Sequence, residues 1–65
     1  MRDPNRLDNF YDEFKKIHKE LFPDWRFLQL MSNFMGWIYS EYNRDPFFIE
    51  EDECFKLMRK FSGEK

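Results

Sequence analysis

The stretch WRFLQLMSNFMGWIYSEY, residues 25–42, decides the fold. It carries two charges, Arg26 and Glu41. Advanced about 100° per residue, as a helix turns, it separates into two faces. Leu30 and Trp37, Phe27 and Phe34, Met31 and Ile38, and then Leu28, Met35 and Tyr42 occupy adjacent rows across an arc of about 160°. Arg26, Gln29, Asn33, Gly36 and Ser40 lie opposite. An apolar arc this wide exceeds what one neighbouring helix covers, so the segment is expected to be a central helix, about 24–42, flanked by two others.

The flanking sequences supply those two helices. Asp3-Pro4 has the chemistry of a helix start, a capping carboxylate followed by a residue with no N–H to leave unsatisfied. From there Leu7, Phe10, Phe14, Ile17 and Leu21 recur in steps of three and four, predicting a first helix over 3–21. Pro23 restricts Phe22 and ends it, and Asp24 is placed to cap the second helix, making helices one and two antiparallel neighbours across a short connection. Asn43-Arg44-Asp45-Pro46 breaks the second helix. Phe47-Phe48-Ile49 then has no helical period and is read as an ordered aromatic connection. Its two rings are expected to close the end of the bundle, the alternative being an exposed patch that marks a partner site.

Glu50-Glu51-Asp52-Glu53 suits the positive end of a third helix over 50–62. Glu53 is placed to close back on the helix start, and Ile49 to pack on Cys54 as a staple. Cys54, Phe55, Leu57, Met58 and Phe61 share a side, Gly63 is a natural stop, and Glu64 and Lys65 are expected to fray. The sequence therefore predicts one all-α domain, 1–65, a compact three-helix bundle.

Composition bounds the core and the function. A chain of 65 residues buries roughly 60% of its unfolded surface. Nine Phe, two Trp and three Tyr supply on the order of 2,000–3,500 Å² of that burial, enough for a core without disulfide or metal. The formal net charge of −2 withholds the basic footprint that nucleic-acid binding requires. Polar residues run through the central stretch, which argues against a membrane span. A lone cysteine and the lack of a signal-like opening point to a reducing cytoplasm.

Candidate chemistry is sparse. His18, the only histidine, adjoins an apolar seam and lacks companion ligands at metal-site spacing. Cys54 stands among carboxylates that disfavour a thiolate. The run Glu50 to Glu53 lacks the alternation and the turn glycine of a calcium loop. No catalytic, cofactor-binding or metal-ligating residues are assigned, and no enzyme activity is expected. The polar row through Gln29, Asn33, Gly36 and Ser40 either faces water or receives a partner or the second connection, since a mid-helix glycine often admits a close neighbour.

Three motifs, Arg2-Asp3-Pro4-Asn5-Arg6, Asp24-Trp25-Arg26-Phe27-Leu28-Gln29-Leu30 with Asn33, and Asp45-Pro46-Phe47-Phe48-Ile49-Glu50-Glu51-Asp52, together resemble a family of small bacterial and phage or mobile-element helical proteins, loosely YihD-like. The resemblance covers most of the chain. It implies a compact helical core and a bacterial cytoplasmic setting, carries no activity with it, and singles out Gln29 and Asn33 as amides able to hold a connection through backbone hydrogen bonds.

The expected role is a non-enzymatic protein-interaction module, an accessory protein that binds and modulates a host protein. Trp37, Tyr39, Phe47 and Phe48 are the expected apolar anchors, with Arg26 and Glu51 at a polar rim. The alternative is a self-associating structural protein, a homodimer formed through the surplus aromatics.

Overall fold

A computed structural model describes residues 2–64 as three α-helices, α1 (Arg6–Leu21), α2 (Phe27–Tyr42) and α3 (Glu51–Glu64), with a 3₁₀ turn at Pro46–Phe48 and no strand among the described residues. The all-α three-helix fold expected from the periodicity is the fold observed.

Each boundary has a local cause. The Asp3 carboxylate accepts the Asn5 N–H at 3.0 Å, so the capping group foreseen at Asp3 is in use. The next residues wind tightly, with Arg6 N–H bonded to the Asp3 carbonyl and Leu7 N–H to that of Pro4. This i to i+3 turn delays α1 to Arg6. Phe22, held off helical geometry ahead of Pro23 at φ −136°, ends α1. Trp25 N–H then donates to the Phe22 carbonyl, closing a turn that leaves Asp24 short of the next helix. Arg26, rather than Asp24, precedes α2, and the Gln29 side-chain oxygen accepts its N–H at 3.3 Å.

Asn43 ends α2 in the left-handed region at φ 51°, a conformation asparagine tolerates better than most side chains, and its N–H bonds to the Tyr39 carbonyl. Asp45 accepts the Phe47 N–H at 3.0 Å and Pro46 opens the 3₁₀ turn. Ile49 and Cys54 both pack against the core and border one small apolar cavity at the start of α3. α3 runs through Gly63, which keeps a negative φ, and ends at Glu64 rather than 62. Lys65, expected to fray, lies outside the described residues.

The packing order differs from the expected one. α3 is the helix that packs on both others, whereas the α1 and α2 backbones stay more than 8 Å apart, Cα to Cα. Bulky rings occupy the space between α1 and α2: Phe14 meets Phe27 edge to face at 6.0 Å, and Phe22 stacks obliquely on Trp25. Large side chains at a contact hold helix axes apart. α1 and α3 run parallel in a constant register, with Arg6 on Glu51, Phe10 stacked on Phe55 at 4.9 Å, and Glu13 paired with Arg59.

The core comprises Ile17, Phe22, Leu30, Phe34, Ile38, Leu57, Met58 and Phe61. The Phe61 ring lies 5.2–5.9 Å from those of Phe22, Trp25, Phe34 and Trp37. The radius of gyration, 12.0 Å, exceeds the roughly 11 Å of a fully compact chain this long, so the helices leave surface uncovered.

Gly36 sits in the exposed middle of α2, and a Cβ there would meet nothing within 4 Å. The glycine admits no close neighbour. Gly36→Ala is predicted to raise unfolding free energy by about 0.5–1 kcal/mol through helix propensity alone, measured by urea denaturation. A loss of stability would reveal a neighbour at that position.

Candidate functional site

Tyr11 on α1 and Phe27 at the start of α2 are each about half exposed, and the other exposed large apolar side chains lie on one side of α2 and on the turn that follows it. Leu28 is 75% exposed, Met35 44%, Tyr39 55%, Phe47 83% and Phe48 73%. Phe27, Leu28 and Met35 were assigned to the packed arc, and the structure leaves each of them substantially exposed. The arc is wider than α3 and the intervening rings cover, so its Leu28 edge faces out.

The expectation that Phe47 and Phe48 close the bundle is also corrected. Pro46 fixes the backbone and the Asp45 cap tightens the turn, so both rings project outward, edge to face at 5.0 Å. Met35, Tyr39, Asp45, Pro46 and Phe47 line a shallow cleft of about 300 Å³. Beneath it, Pro46 also roofs a smaller apolar cavity of about 110 Å³ that reaches Cys54 and Met58.

Of the expected anchors, Tyr39, Phe47 and Phe48 are brought to this side. Trp37 is not, because two residues along a helix turn it away by about 160° relative to Tyr39. Its ring instead packs against Phe61 at 5.2 Å and Tyr42 at 5.5 Å, with a buried indole N–H that finds no acceptor among the described residues. Arg26 is exposed at the opposite end of α2. Glu51 is away from the rim, bound to Arg6 at 2.7 Å where α1 and α3 begin.

Gln29 and Asn33 are both exposed, so neither is the buried amide expected. Gln29 does bond a backbone N–H, but that of Arg26 at the start of its own helix. The polar row carries neither the second connection nor any close contact at Gly36, and it faces water.

The acidic run finds its partners within the chain. Glu50 pairs with Arg2 at 2.9 Å, Glu51 with Arg6, and Glu53 takes two hydrogen bonds from Arg44 at 2.8 and 3.1 Å. Arg44 thereby holds the Glu53 carboxyl below its ordinary pKa and is itself raised. Glu53 therefore engages the connection instead of closing back on the helix start. Among the described residues no group of three or more His, Cys, Asp or Glu side chains is placed to hold a metal ion.

His18 Nε2 lies 2.7 Å from the Trp25 carbonyl, which accepts only from the Nε2-protonated ring. The contact ties α1 to the first connection. Lys15, Lys19, Pro23 and Trp25 surround it in an open depression of about 440 Å³. Cys54 is half-buried, and burial, followed by the Glu51 charge, pushes its thiol pKa up.

What the residue reading missed is the row Leu28, Ser32, Met35 and Tyr39. Its steps of four, three and four were legible as a second apolar seam, pointing away from the one built on Leu30, Phe34 and Ile38. No known protein family, curated protein or solved structure matches the chain. No helix among the described residues is long and apolar enough to cross a membrane.

The raised thiol has a direct consequence. At pH 7 Cys54 is predicted to react with iodoacetamide more slowly in the folded chain than in urea, followed by mass spectrometry. Faster labelling in the folded state would identify an activated thiolate and contradict this account.

Proposed function

We propose that the chain is a non-enzymatic protein-interaction module that binds through the face formed by Leu28, Met35, Tyr39, Phe47 and Phe48. The observation that carries this reading is the gathering of exposed apolar side chains on that face: Met35, Tyr39 and Phe47 share a cleft, Phe47 meets Phe48, and Leu28 lies on the same row of α2. The fold leaves five large apolar side chains in water on one helix side and the adjoining turn, where isolated exposed residues would need no explanation.

The aromatic share of the face supports the same reading, because rings supply large contact area for little side-chain entropy. The cleft between Met35, Tyr39 and Phe47 offers an apolar side chain a place to seat. The groups with chemical potential elsewhere are engaged structurally: His18 with the Trp25 carbonyl, Cys54 against the core, and the acids with arginines. In the bacterial or phage setting implied by the YihD-like motifs, such a module would act in the cytoplasm by occupying the surface of a protein partner.

Affinity capture from a lysate of the source cells tests the proposal, with the wild-type chain and Phe48→Asp as paired baits. Phe48 is mostly in solvent, so the substitution should leave the circular dichroism spectrum unchanged. Proteins retained by wild type and lost from Phe48→Asp are expected. Identical recovery on both baits, or none above the variant, would overturn the proposal.

A further inference from the structure

We infer that the α2 face pairs with the same face of a second copy of this chain, the two α2 helices running antiparallel. The inference rests on the reading of this face as a binding surface and names its occupant.

The spacing of the face is the first argument. Leu28, Ser32, Met35 and Tyr39 follow the alternation of four and three that lets one helix seat its side chains between those of another. The row is self-complementary when reversed. Leu28 of one copy falls opposite Tyr39 of the other, and Ser32 opposite Met35, so a small side chain meets a large one at the crossing. Leu28 is the mostly exposed knob of this row, and the cleft beside Met35, Tyr39 and Phe47 is its hole. An isologous two-fold contact requires knob and hole on the same chain, and here both are present.

Charge and area agree. The seam and the α2 positions beside it, Gln29, Asn33, Gly36 and Ser40, are uncharged, and the one carboxylate at the cleft, Asp45, falls at opposite ends of the seam in the two copies of an antiparallel pair, so like charges are kept apart despite the net charge of −2. The five exposed side chains present on the order of 600 Å² per copy. Pairing two copies removes at most about 1,200 Å², the lower limit of a specific interface, so a weak dimer is the expected outcome. A domain this small gains most from such a contact, since its own core is limited.

Light scattering over a dilution series tests the pairing, using the wild-type chain and Leu28→Glu. Wild type is expected to reach twice its chain mass of 8.3 kDa by about 0.1 mM, a weak threshold for an interface of this size. Leu28→Glu is expected to remain at 8.3 kDa with an unchanged circular dichroism spectrum. A second measurement fixes the register. Leu28 and Tyr39 lie about 16 Å apart along one helix, too far for a disulfide within the chain. The double variant Leu28→Cys with Tyr39→Cys is therefore expected to form a covalent dimer under mild oxidation, and neither single variant nor wild type, with its native Cys54, to do so.

A wild-type chain that stays monomeric overturns the inference, as does a dimer that survives Leu28→Glu. If the chain is monomeric yet Phe48-dependent capture persists, the binding surface stands and its occupant is another protein. If capture also fails, both readings fall.

Discussion

The structure depends on the environment of one side chain, Phe61 of α3. Four rings converge on it, two from the connection between α1 and α2 and two from α2 itself. Aromatic pairs at these separations add roughly 0.5–1.5 kcal/mol each beyond the apolar area they bury. In a chain whose only cysteine is unpaired, that cluster takes the place of a covalent staple. It also explains why α3, the last helix in sequence, is the one that both others contact.

Ion pairs set how α3 arrives. Arg2 and Arg6 come from the start of the chain and Arg44 from the connection before α3, and all three meet the acids at the beginning of α3. Arg59 and Glu13 repeat the pattern farther along α1. These groups are substantially exposed, and solvent screening limits their worth to stability. Their value is in register. The parallel pairing of α1 with α3 is fixed at Arg6–Glu51, Phe10–Phe55 and Glu13–Arg59, and sliding one helix along the other would break all three together.

Much of this was readable from local chemistry. Proline after Phe22, the Asn43 to Pro46 breaker and the spacing of Leu7 to Leu21 act over a few residues, and each was visible as sequence. The tertiary choices were less so. The width of the apolar arc on α2 says how much greasy surface exists, but not what covers it, and so Leu28 and Met35 were placed inside. Trp37 and Tyr39 are two residues apart and equally aromatic, yet helix rotation puts one against Phe61 and the other in water. The acids do open α3, but their arginine partners, as far as 48 residues away in sequence, were not legible. Tyr39, Phe47 and Phe48, read from the sequence as candidate apolar anchors, are exposed. The seam from Leu28 to Met35 that extends them was hidden by the assumption that α2 is enclosed.

Fold and surface are thus built from different residues of the same helix. Phe34 and Ile38 look inward to α3, whereas Leu28 and Tyr39 look outward and contribute nothing to the interior. The most direct test compares urea unfolding of Phe61→Ala and Phe47→Ala at one low protein concentration, where any association is negligible. Phe61→Ala should lose about 3–5 kcal/mol, at least about a third of the roughly 3–10 kcal/mol available to a chain of this length, and shift the unfolding midpoint far below that of wild type. Phe47→Ala should unfold at the wild-type midpoint. A Phe61→Ala chain that keeps the wild-type midpoint, or a Phe47→Ala chain that loses it, would contradict the account.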